Sequence, residues 1–146
     1  MTDLIPAIGE LRGKTFHLPV RVYYEDTDQQ AIVFYANYLK FFERGRTEFL
    51  RTLGAPPAQI ETDLDRLFVV AGVNIRYHQS ARLDEILDVQ TRVAKLGRVK
   101  LLMDQKIYRG EDLIASAELT IAIIDRQGKP ARLTQELEAR FQALLA

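Results

Sequence analysis

The chain predicts an α+β domain: an antiparallel sheet of about five strands around one long helix. Three observations carry this. One helical-period apolar face occupies residues 36–53; segments alternating with a period of two flank it; and no other stretch is amphipathic enough to cover a sheet. The first strand comes from Phe16, Leu18, Val20, Val22 and Tyr24 on one face, with His17, Pro19, Arg21 and Tyr23 on the other. Pro19 points to an edge position or an irregular start. A polar loop, Glu25 to Ala31, follows. Tyr38, Leu39, Phe42, Phe49, Leu50 and Leu53 then recur at helical spacing opposite Lys40, Arg44, Glu48 and Arg51, and Gly54 with Pro56-Pro57 stops the helix. Period two returns at 68–79 (Val69, Ala71, Val73, Ile75, Tyr77), 86–96, 99–108 and 113–124. Gly97-Arg98 and Arg109 to Asp112 are hairpin-style turns, so these four strands are expected to form a meander. Thr134, with Glu136 and Glu138 behind it, caps a short C-terminal helix.

The 146 residues fit one domain, 1–146, with 1–14 as a loosely ordered leader. Lys plus Arg and Asp plus Glu number 20 each, which argues against a surface built to bind nucleic acid. The absence of cysteine removes disulfides, thiolate metal sites and cysteine nucleophiles together, and two histidines, His17 and His78, do not make a multi-histidine metal site. The N-terminus lacks the basic and long apolar regions of a signal peptide, and no apolar run approaches the ~20 residues of a membrane helix. The expectation is a cytoplasmic protein. A sheet with open edges over a partly covered helix further predicts a homodimer or homotetramer.

Familiar signatures are missing. Gly9 to Thr15 resembles a phosphate-binding loop only loosely, being one residue short and lacking a helix behind it, and the nucleophile-elbow, zinc-protease and dinucleotide motifs do not occur. Chemistry concentrates instead in Tyr24-Glu25-Asp26-Thr27-Asp28, just ahead of the long helix. Three carboxylates so close are either solvated or held in place for a purpose, and spacing alone leaves both readings open.

The run Val22-Tyr23-Tyr24-Glu25-Asp26-Thr27-Asp28 and the run from Ile32 to Glu48 resemble the signature of hotdog-fold acyl-CoA thioesterases. The likeness is to the 4-hydroxybenzoyl-CoA thioesterase class, in particular its Tol-Pal-associated branch. Asn74-Ile75-Arg76-Tyr77, Ala81 to Glu85 and Leu96-Gly97-Arg98 extend the likeness over nearly all of 16–125. The resemblance implies a hotdog fold and hydrolysis of an acyl-CoA. Asp28 would be the catalytic carboxylate, as nucleophile or general base, and the backbone N–H of Tyr35 the oxyanion donor. It also implies that Arg98, Lys100 and Lys95 meet the phosphates of coenzyme A, which is part of the substrate; no separate cofactor is implied. The chain departs from the family at Tyr35, where the Tol-Pal branch usually has His, and at Ser80, where it usually has Pro. Gln29-Gln30-Ala31 replaces a glycine-containing run, which predicts backbone strain there. Glu43 is expected to pair with a neighbouring Arg at i,i+3, Asn37 to cap or tether, and both histidines to be structural or surface residues. Alternative readings on the same fold are a thioesterase acting on acyl carrier protein and a non-catalytic acyl-thioester-binding scaffold.

Overall fold

The computed structural model describes Leu4 and residues 8–145. Alternation places Phe16, Leu18 and Val20 of β2 (Thr15–Arg21) in the core. The same period puts Leu87, Val89, Thr91 and Val93 of β4 (Ile86–Leu96), and Leu101, Met103, Gln105 and Ile107 of β5 (Lys100–Arg109), on that inner face. With β1 (Glu10–Arg12), β3 (Leu67–Tyr77) and β6 (Asp112–Ile124) they form one antiparallel sheet of six strands in the order β1-β2-β4-β5-β6-β3.

The sixth strand is β1, which lies inside the expected leader. Glu10, Leu11 and Arg12 pair with His17, Phe16 and Thr15, so 9–15 is a hairpin and not a phosphate loop. The remaining leader residues, apart from Leu4 and Ile8, lie outside the described residues. The expected meander holds for β4-β5-β6 only. β3 crosses over to pair with β6 and becomes the far edge, while β2 takes the place beside β4. The period-two pattern of β3 is also interrupted. Its register shifts between Val70 and Gly72, so Phe68 and Val70 share the inner face with Val73, Ile75 and Tyr77, opposite buried Ile123, Ile121, Leu119, Ala117 and Ala115.

A 3-10 turn at Tyr35–Asn37 leads into α1 (Tyr38–Thr52), which buries Phe41, Phe42, Phe49 and Leu50 against β2 and β4. Gly45 allows the close approach. A Cβ there would stand 2.9 Å from both Thr91 Oγ1 and Val89 Cγ1. Beneath it, Gln105 donates to the Phe42 carbonyl (2.9 Å) and Thr91 Oγ1 (2.8 Å) and accepts from Arg46 (2.9 Å), so this buried amide is satisfied. Pro56-Pro57 ends one helix and starts another: α2 (Pro57–Leu64) carries Pro57 at its first position, where the missing N–H has no intrahelical partner to lose. α3 (Gln135–Ala143) starts at Thr134, whose Oγ1 accepts from the Leu137 amide at 3.3 Å. No helix among the described residues is long and apolar enough to cross a membrane.

Helix α1 shields the β2-β4 half of the inner face and leaves the β3 side open. Val70, Val73 and Tyr77 are exposed there, on an edge strand of 11 residues.

Candidate active site

The two aspartates of Asp26-Thr27-Asp28 have opposite fates. Asp26 is buried, its Oδ1 accepting from Asn37 Nδ2 and its Oδ2 from the Tyr23 amide, each at 2.8 Å. Its carbonyl takes the Phe34 amide at 3.0 Å. Asp26 therefore ties the loop to the start of the helix, and Asn37 is the tether the sequence predicts. Asp28, two residues on, is exposed. Its Oδ1 accepts from the Gln30 amide (2.8 Å), and among the described residues Oδ2 has no protein partner. This local turn restrains the carboxylate through one oxygen and leaves the other free, on a residue that lines a cleft.

That cleft, of about 400 Å³, is lined by Asp28, Phe34, Tyr35, Tyr38 and Tyr77 together with the 78–80 segment. The rings form a connected set: Tyr35 lies 4.9 Å from Phe34 and 6.1 Å from Tyr77, and Tyr77 lies 5.7 Å from Tyr38. Such an array offers apolar surface with polar tips. Burial pushes the Tyr38 phenol up from its ordinary range, and its Oη accepts from the Ala81 amide at 3.1 Å. Burial and the neighbouring Tyr35 raise Tyr77 as well. Tyr35 opens the 3-10 turn before α1, so its amide has no intrahelical acceptor, and none is supplied by the backbone elsewhere among the described residues. Asp28 and Tyr35, predicted as a pair, thus line one cleft.

The strain expected from the lost glycines falls on one residue. Ala31 sits at φ 61°, the left-handed region, whereas Gln29 and Gln30 do not have positive φ. A further wall comes from the loop after β3. The Val33 amide donates to the Ala81 carbonyl (2.9 Å), and the Leu83 amide to the Ala31 carbonyl (3.1 Å).

The basic group lies elsewhere in the chain. Lys95, Arg98 and Lys100 are exposed around the β4-β5 hairpin. β4 begins at the cleft end of the sheet and runs 11 residues, so its hairpin stands ~30 Å from Asp28 in the same chain at ~3.3 Å per residue. His17 Nδ1 pairs with Asp88 (2.8 Å) and lies away from the cleft, whereas His78, whose Nε2 pairs with Ser116 Oγ (2.9 Å), is exposed and belongs to the cleft lining. Glu43 makes no direct ion pair among the described residues; its i,i+3 neighbour Arg46 turns its guanidinium inward to Gln105 and meets the Glu43 charge only at longer range. Glu43 and Arg46 instead border a cavity of about 590 Å³, whose apolar wall includes Phe68, Val70, Met103 and Phe141. Sequence reasoning missed the inward turn of Asp26 and the place of Tyr77. The spacing of two carboxylates shows neither which one faces the core nor that the end of β3 meets the start of α1.

A family model described as the Thioesterase superfamily matches residues 30–116, which include Tyr35, α1 and most of the sheet. The acyl-CoA thioesterase YbgC of Haemophilus influenzae is 38% identical over 130 residues, covering 88% of this chain and 96% of that protein. The acyl-CoA thioester hydrolase YbgC of Escherichia coli O6:H1 is 36% identical over 129 residues, covering 87% and 96%. A probable thioesterase from Bartonella henselae superposes with a TM-score of 0.80 at 36% identity, covering 82% of this chain and 99% of that one. Matched by the family over more than half its length and by full-length relatives above 30% identity, and carrying the antiparallel sheet and long helix of the hotdog fold, the chain belongs to the Thioesterase superfamily.

Proposed function

We propose that the protein is an acyl-CoA thioesterase in which Asp28 drives hydrolysis and the Tyr35 amide receives the charge developing on the thioester oxygen. The observation that carries this is the shared cleft: a carboxylate held through one oxygen, a helix-start amide without an acceptor among the described residues, and an aromatic wall around both. Attack by Asp28 on the thioester carbonyl breaks the C–S bond and expels the coenzyme A thiolate, leaving an aspartyl anhydride. Water then cleaves the anhydride to free acid and regenerates Asp28. As a general base, Asp28 would take a proton from water attacking the same carbon. Either route needs a donor at the carbonyl oxygen. The curated relatives named acyl-CoA thioesterases support the substrate class, and the motif around Asp28 favours the 4-hydroxybenzoyl-CoA class and its Tol-Pal-associated branch.

The working unit we propose is a homodimer. β3 is a long edge with exposed Val69, Val70, Val73 and Tyr77, whereas the opposite edge, β1, has three residues. Twofold antiparallel pairing of β3 with a second copy sets its Tyr77 end beside the copy's Leu67 end. The copy's β4-β5 hairpin, with Lys95, Arg98 and Lys100, then lies at the same end as this chain's Asp28, and the cavity bordered by Phe68 and Val70 opens toward the cleft. One acyl-CoA would be shared between two chains, its phosphates on one and its thioester on the other.

Hydrolysis of a panel of acyl-CoAs by the wild type and by Asp28→Asn tests the assignment, and equal rates would reject it. A second donor, acyl carrier protein, fits the same basic hairpin. A kcat/KM comparison of the two donors, with the response of each to Arg98→Ala, separates them. Saturable binding without turnover would point to a scaffold.

A further inference from the structure

The loop joining β3 to β4 forms the outer wall of the Asp28 cleft, and one side chain gathers it. Arg109, the last residue of β5, donates through Nη1 to the Ser80 carbonyl (3.1 Å) and to both Glu85 oxygens (3.1 and 3.3 Å). Through Nη2 it reaches Gln79 Oε1 (3.2 Å) and Asp112 (3.4 Å). A guanidinium's fixed fork can bind several acceptors in one plane; an ammonium cannot. Glu85 passes the restraint on, its Oε1 accepting from the Arg82 amide at 2.6 Å.

The gathered segment then grips the catalytic loop. Ala81 N–H meets Tyr38 Oη, Ala81 O takes the Val33 amide, Arg82 bridges to Ile32, and the Leu83 amide meets Ala31 O. Ile32 O in turn accepts from the Asp28 amide (2.9 Å), and Asp28 O from the Ala31 amide (3.1 Å). A continuous hydrogen-bonded path therefore runs from Arg109 through 79–85 and 31–33 to Asp28. The two ends of the loop are anchored independently, the His78 and Gln79 amides on the Ile114 carbonyl (2.8 and 3.2 Å) and Asp84 and Glu85 on Val22 (2.9 Å each). Between them Ser80 is exposed and, among the described residues, its amide makes no backbone hydrogen bond, so Arg109 is what ties the middle of the loop to both ends.

We infer that Arg109 is a positioning residue, holding 79–85 against 31–33 so that the free oxygen of Asp28 stays aimed into the cleft. It is not among the residues that line the cleft, and its partners are Gln79, Ser80, Glu85 and Asp112. This rests on Asp28 being the reacting carboxylate, so the test has one readout that needs no turnover. Arg109→Met keeps the stem and removes the donors; Arg109→Lys keeps the charge and removes the fork. In Arg109→Met, amide hydrogen exchange at Val33, Ala81 and Leu83 should accelerate about tenfold or more while the β4-β5 ladder is unchanged. Its kcat on acyl-CoA should fall about tenfold or more with KM altered less than twofold, since misplacement of a reacting group acts on the chemical step. Arg109→Lys should fall between Met and wild type in both readouts. Unchanged exchange at 33, 81 and 83 overturns the inference whether or not the wild type hydrolyses acyl-CoA. Faster exchange with wild-type kcat overturns it too, as does a loss confined to KM. A wild type without thioesterase activity removes the Asp28 reading, and with it the positioning role, even if the exchange result stands.

Discussion

Removing Asp26 and removing Asp28 should produce opposite patterns, because the structure gives one aspartate to the fold and the other to the cleft. Asp26→Ala deletes two carboxylate hydrogen bonds of 2.8 Å. It also leaves the buried Asn37 amide without its acceptor. Hydrogen bonds to a charged group contribute roughly 1.5–3 kcal/mol, and a buried orphan donor costs about 1–3 kcal/mol. The Tyr23 donor can turn to water, since Tyr23 is exposed, so its share is small. The Asn37 contact dominates, and the expected loss is about 3 kcal/mol. With a urea slope of ~2 kcal/mol/M, the unfolding midpoint should fall by about 1.5 M. Asp28→Asn keeps an oxygen for the Gln30 amide and sits in solvent. Its midpoint should move by less than about 0.3 M, as exposed substitutions usually do, while kcat should drop about 10²-fold or more as a catalytic carboxylate is lost. Urea titration followed by circular dichroism, beside a thiol-release assay, reads both. Equal midpoint shifts for the two variants, or an Asp26→Ala midpoint within about 0.3 M of wild type, would refute this division of labour.

Three further outcomes rest on single residues. Ala31→Gly relieves the left-handed strain at φ 61° and should raise stability by about 0.5–1 kcal/mol, or ~2–3 °C in Tm; an unchanged or lower Tm contradicts the strain assignment. Tyr38 keeps its proton longer in the folded chain than in the unfolded one, whose phenol ionises near 10.0, so its contribution is intact below that pH and is lost as pH rises toward the folded value. Tyr38→Phe should therefore be about 1 kcal/mol less stable at pH 8, for want of an acceptor for Ala81, yet lose less stability than wild type between pH 9 and 11; parallel losses would exclude Tyr38 as a contributor. Val73→Lys puts a charge on the exposed edge of β3 and should turn a dimeric wild type into a monomer in sedimentation velocity, with activity lost in parallel; a variant that stays dimeric places the interface elsewhere.

What the sequence could show was set by periodicity and by local chemistry. The α1 face, the Thr134 cap and the inner faces of β2, β4 and β5 are encoded within a few residues of themselves, so spacing reveals them. The double role of Pro56-Pro57 is half legible: a proline pair reads as a stop, but Pro57 is equally a good first residue of α2. The acidic loop is legible as a place where chemistry gathers. Which aspartate turns inward depends on Asn37, eleven residues on, and no local rule links them.

The pairing of β3 was hidden for a different reason, and it governs how the site is assembled. Alternation says that a segment is a strand without saying which strand it joins, and the bulge between Val70 and Gly72 changes which side chains share its inner face. By pairing with β6 in place of β4, β3 becomes an edge whose Tyr77 end closes the Asp28 cleft, while its Leu67 end lies with the basic hairpin at the other end of the sheet. Acid and base, the two ends expected of one bound thioester, are parted within one chain by the full length of β4. A twofold partner on β3 reverses the sheet's ends and brings a basic hairpin to the acidic cleft. At ~4.8 Å per strand, three spacings separate this chain's β3 from the partner's β5, or ~14 Å. If that geometry holds, mixing Asp28→Asn chains with Arg98→Ala chains should restore activity in the heterodimer, where one of the two shared sites is intact. No recovery on mixing, with subunit exchange demonstrated, would place both groups' work within a single chain.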